Sequence, residues 1–134
     1  MEELVIRSDR EFAIRFHSKK ITDDGWLDSY IVELSARHFL ASFEVGNARE
    51  GCSPCILFEE MAAEQDGWAG LKSWGALEGE LDLSASMDST GHVTLTVERH
   101  VDDEAPAWSS RFSLLIESGQ LAQLVSDARD FFSR

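Results

Sequence analysis

Between Glu80 and Glu98 the chain alternates apolar and polar residues in two consecutive runs separated by a turn, and no other feature constrains the fold as tightly. Leu81, Leu83, Ala85 and Met87 fall on one side and Glu80, Asp82, Ser84 and Ser86 on the other, the period-two pattern of a half-buried strand. Asp88-Ser89-Thr90-Gly91 supplies turn formers and a glycine free to take positive φ,. Alternation then resumes, with Val93, Leu95 and Val97 opposite His92, Thr94, Thr96 and Glu98. The pattern predicts an antiparallel hairpin with one aliphatic face and one face of carboxylates and hydroxyls. A sheet covered on one side and open on the other follows.

The remaining segments build around that hairpin. Leu4 to Ile6 and Phe12 to Phe16 read as two short strands, or as one strand bulged near Ser8-Asp9, and Lys19 to Gly25 as a loop,. Tyr30, Val32, Leu34 and Ala36 occupy even positions, whereas Phe39, Ala41, Phe43 and Val45 occupy odd ones. A phase flip at Arg37-His38 implies a turn or bulge between two paired strands, because an uninterrupted strand would send one apolar set into water. Ser53-Pro54 signals a helix start, and the helix should run to about Gln65 with Leu57, Phe58, Met61 and Ala62 inward,. Trp68 and Trp74 fall in a glycine-punctuated connection before the hairpin. After an acidic loop from Val101 to Ala107, Trp108 to Ile116 alternates as a strand, and Ser118 caps a final helix. The stripe of that helix is Leu121, Leu124, Val125, Ala128, Phe131 and Phe132,. Strands and helices are grouped rather than interleaved. The expected class is α+β: one antiparallel sheet of about six strands with two helices on one face, in the order β-β-β-α-β-β-β-α, within a single domain over residues 1–134,.

At 134 residues the chain can bury a core without staples,. Its net charge of −13 opposes unassisted binding to nucleic acid or an anionic membrane and makes a basic protein the natural partner,. The charge is concentrated, with net −3 over residues 1–50 and net −10 over residues 51–134. Solubility alone is the competing explanation. The N-terminus MEELVIRSDREF lacks a signal-peptide apolar core, and no apolar run approaches the ~20 residues of a membrane span,. A cytoplasmic location is expected, and two cysteines are too few for a secreted disulfide framework,.

Few residues suggest chemistry. Cys52-Ser53-Pro54-Cys55 at a helix start resembles the CxPC of thioredoxin-like proteins, in which the helix dipole lowers a thiol pKa, so thiol-disulfide exchange is an alternative function,. Against it, Gly51 stands where that family has tryptophan, and the hairpin replaces the strand–helix alternation expected before Pro106. His17, His38, His92 and His100 are scattered without metal-ligand spacing,. No nucleophile elbow or phosphate loop is present,. Glu80 and Asp82 could serve acid/base work, but such a pair is more often a solvated face. Trp26, Trp68, Trp74 and Trp108 are core candidates, with Trp68 and Trp74 the pair suited to line a contact groove,.

The run from Phe58 through Glu98 has a helix ending in GWxGxxxW, an acid-rich alternating strand, and D-x-x-GHV-x-L-x-V. It resembles a group of small, acidic, uncharacterised bacterial proteins and, more loosely, is similar to WapI-type immunity proteins of polymorphic toxin systems. Gly91-His92-Val93, Trp108 to Ile116 and Gln120 to Phe132 match in kind and order over the last two-thirds of the chain. The resemblance implies a non-enzymatic cytoplasmic protein that occludes a toxin domain, without catalytic residues or cofactor. Charge complementarity to a basic, nuclease-type toxin would place the contact on Glu80, Asp82 and Glu98, the following loop Asp102, Asp103 and Glu104, and the Trp68–Trp74 pair,. A plain adaptor module is the bland alternative.

Overall fold

The alternating segments fold into two four-stranded antiparallel sheets, not one sheet of about six. The computed structural model describes residues 1–8, 11–47, 53–101 and 108–133, without the side chains of residues 101 and 108. The first sheet is a meander of β1 (Glu3–Arg7), β2 (Ala13–Ile21), β3 (Leu27–Ala36) and β4 (Phe39–Gly46), paired in that order. After α1 (Cys55–Ala63) comes a second meander, β5 (Lys72–Gly75), β6 (Asp82–Met87), β7 (His92–Val101) and β8 (Trp108–Glu117). A 3-10 turn over Ser118–Gln120 then leads into α2 (Leu121–Phe132).

Each boundary has a local cause. At the phase flip, Ala36 pairs with Phe39 across a tight turn, and His38 takes φ 60°, which lets Val32 and Phe43 share one face. In the central hairpin Met87 pairs with Val93 and Asp82 with Glu98. Asp88 organises its turn: Oδ1 accepts from the N–H groups of Thr90 (2.8 Å) and His92 (3.0 Å), and Gly91 takes φ 85°. A side chain at Gly91 would also press on Ser118 Oγ, 3.1 Å from the position of a Cβ. Helix α1 starts one residue later than the Ser-Pro signal predicts, with Pro54 at the N-cap position, and Ser53 Oγ accepts from the Cys55 N–H at 3.3 Å,. Strand β2 runs to Ile21, so the expected loop from Lys19 is shorter, and a register shift between His17 and Lys20 absorbs the change of phase.

The apolar faces of both sheets and the buried faces of both helices form one core, reaching from Leu4 and Phe16 through Tyr30, Leu57, Phe58 and Leu83 to Leu114 and Phe131. Helix α2 seals the first sheet with aromatic edges: Phe132 lies 5.4 Å from Phe16 and 5.3 Å from Tyr30, centroid to centroid. The two sheets meet where the Arg99 guanidinium stacks 4.6 Å over the Phe43 ring and where Phe39 touches Phe112. Among the described residues, no helix is long and apolar enough to cross a membrane.

Candidate functional site

The outward face of the second sheet is where the carboxylates of the hairpin were expected, and cross-strand pairing decides which of them reach it. Gly75, Asp82, Glu98 and Arg111 are consecutive partners across β5, β6, β7 and β8, so their side-chain positions form one row,. Ser84 and Thr96 occupy the next row, with Ser113 beyond them. Beside these rows runs a groove of about 260 Å³ walled by Trp74, Asp82, Ser84 and Glu98 and floored at Gly75. A Cβ at Gly75 would stand 2.6 Å from Asp82 Oδ1, so a side chain there would turn the Asp82 carboxylate aside.

Two of the expected carboxylates are therefore brought together, in different electrostatic states. Glu98 is partnered: Arg111 Nε lies 3.2 Å from Oε1 and His100 Nε2 lies 3.0 Å from Oε2. Asp82 has no hydrogen bond or ion pair among the described residues, so its charge is presented to whatever enters the groove. Asp102, Asp103 and Glu104 lie outside the described residues.

Glu80 does not join this face. The ladder ends at the Gly75–Asp82 pair, and the Ala76 N–H closes the loop on the Leu81 carbonyl, so the sequence alternation at Glu80 runs past the strand into a turn. Its carbonyl accepts from Arg99 Nη1 at 2.8 Å, its Oε1 is shut away from water, and its charge acts on Tyr30. Burial first, then the Glu80 carboxylate, push the Tyr30 phenol upward,. Arg99 is the residue that sequence reasoning passed over here. Its odd position places it on the dry face with Val93, Leu95 and Val97, and that anomaly was the available signal.

The two tryptophans separate. Trp74 sits on β5, a strand absent from the sequence reading, and combines packing against the core with an edge on the groove. Trp68 is structural: its Nε1 donates to the Ala85 carbonyl at 3.3 Å, and the Lys72 ammonium lies 5.4 Å from its ring centre. Lys72 also pairs with Glu64, tying the end of α1 to β5.

For thiol chemistry, Cys52 lies outside the described residues. The Cys55 thiol is free and buried, and it donates to Glu59 Oε1 at 3.3 Å. Burial, then that carboxylate, push its pKa up to about 12, which keeps it protonated and unreactive at neutral pH,. The helix-terminus activation expected of the motif does not operate at Cys55. No His, Cys, Asp and Glu cluster able to hold a metal forms among the described residues. His92 is a structural link, with Nδ1 2.7 Å from Thr90 Oγ1 and Nε2 3.1 Å from Glu117 Oε1.

Residues 5–134 match the model of a family described as being of unknown function, DUF6228. No curated protein and no solved structure matches the chain.

Proposed function

We propose that this chain, which belongs to the DUF6228 family, is a non-enzymatic binding protein that neutralises a basic, nuclease-type bacterial toxin domain by occluding it. The observation that carries the reading is the groove at β5, where Asp82 presents an uncompensated carboxylate beside Trp74 and Glu98 on a chain of net charge −13. Around it the surface has the composition of a contact patch. Leu71 and Leu77, 71% and 77% exposed, flank β5, and Glu78 stands exposed next to Leu77. Exposed apolar side chains beside carboxylates suit a partner whose basic surface surrounds an apolar centre. Among the described residues strand β5 is also at the edge of its sheet, hydrogen-bonded to β6,.

The test uses a basic toxin domain encoded beside this gene. Wild-type protein should bind it, protect cells expressing it, and lose affinity steeply as salt rises. Asp82→Lys combined with Glu98→Lys should weaken binding and flatten the salt dependence; Glu80 is omitted because it is sheltered. Unchanged affinity and slope in the double variant would remove this face from the interface. Cells left unprotected by wild-type protein would remove the immunity reading altogether.

A further inference from the structure

A second concavity lies between the edge strand β1, the end of β8 and the start of α2. Its volume is about 360 Å³, within the range of small-molecule sites,. Val5, Ile116 and Leu124 give it an aliphatic floor, while Arg7 and Asp127 stand on its walls.

The charges on those walls are unusual for this molecule. Acids outnumber bases by 13, and every other lysine or arginine among the described residues has an ion pair or a hydrogen bond. Arg7 has neither. Asp127 accepts a hydrogen bond from the Gln123 amide at 2.8 Å and has no cationic partner among the described residues. Arg7 and Asp127 line one cleft yet form no salt bridge with each other. A guanidinium and a carboxylate without ionic partners among the described residues thus line one cleft with an aliphatic floor.

A ligand bearing only a carboxylate would satisfy Arg7 and be repelled by Asp127, and one bearing only an ammonium would meet the reverse. One carrying both charges on a short aliphatic body satisfies all three surfaces. We propose that this cleft binds a free aliphatic α-amino acid, its carboxylate on Arg7, its ammonium on Asp127 and its side chain on the Val5, Ile116 and Leu124 floor. The site is separate from the β5 groove and does not depend on the toxin-binding reading.

The probes are leucine, 4-methylpentanoate, which keeps the carboxylate and alkyl group but lacks the ammonium, and isoamylamine, which lacks the carboxylate. Leucine titrated into the full-length protein should shift the amide and methyl NMR signals of Val5, Ile116 and Leu124 saturably, with a millimolar or tighter dissociation constant. Both single-charge analogues should bind about tenfold more weakly, and Arg7→Gln and Asp127→Asn should each cause a loss of similar size, the scale of one charge-assisted contact. Both residues lie outside the buried core, so the variants should retain the wild-type spectrum elsewhere. No saturable shift with leucine would overturn the proposal. So would 4-methylpentanoate binding as well as leucine with Asp127→Asn having no effect, since the second charge would then be idle.

Discussion

Asp88 shows how much one side chain does at the tip of the central hairpin. Its carboxylate accepts from the Thr90 hydroxyl at 2.7 Å and from two backbone N–H groups, and those donors favour the charged form. The Thr90 hydroxyl, then the His92 backbone N–H, hold its pKa at about 2, well below the usual carboxylate range,. A folded-state pKa below the unfolded value means that the turn's contribution is fully present above about pH 4 and is lost as pH falls toward 2,. The expected result is an Asp88 carboxyl resonance titrating near 2 by NMR in wild-type protein, rising toward the unperturbed value in Thr90→Val. An unshifted Asp88 in that variant would show that the backbone donors alone set the pKa. The same turn was legible from its residues, because Asx turns and a positive-φ glycine are short-range chemistry. Glu80 was not: alternation indicates a face only while the ladder lasts, and here it stops at Asp82.

Helix α2 locks the first sheet, and its last turn does most of that work. Phe131 is fully buried, 6.4 Å from Phe16 and 6.3 Å from Tyr30, its carbonyl accepts from Lys19 Nζ at 2.8 Å, and that ammonium also lies over the ring. Phe131→Ala should cost about 3–5 kcal/mol in denaturant unfolding, with helix content lost from α2 first. Leu77→Ala, at a site 77% exposed, should change stability by less than about 0.5 kcal/mol,. Comparable losses in the two would mean that α2 is not the lock. Helix α2 and most strands could be read from the sequence because amphipathic period is a property of each element alone, and α1 because Ser53-Pro54 marks its start. Strand β5 could not, since its four residues Lys72–Gly75 are too few to display a period and it is recognised only by pairing with Asp82–Ala85. The division into two sheets was hidden for the same reason: α1 interrupts the strands after β4, and alternation does not say whether a later strand adds to the first sheet or begins a second.

At the scale of the whole molecule, net charge acts in two opposite directions. Repulsion among surplus carboxylates destabilises the compact state, so added salt should raise the thermal midpoint of the free protein while weakening its association with a basic partner,. A general field and a specific site are separable because a field responds to total charge, whereas a site responds to position. Asp82→Asn with Glu98→Gln, and Glu2→Gln with Asp24→Asn, remove the same charge from the groove and from exposed positions remote from it. In the free protein the two pairs should behave alike in their salt dependence, apart from the loss of the Arg111 and His100 contacts in the first. Against the partner they should differ: the remote pair slows association a few-fold, and the groove pair costs about tenfold or more in affinity, mainly through faster dissociation. Asp82 should carry most of that loss, because Glu98 is already engaged by the Arg111 guanidinium and the His100 ring and would have to exchange them for the partner's groups,. Equal losses from the two pairs would mean that recognition reads only the overall field, and the groove at β5 would then have no privileged place in it.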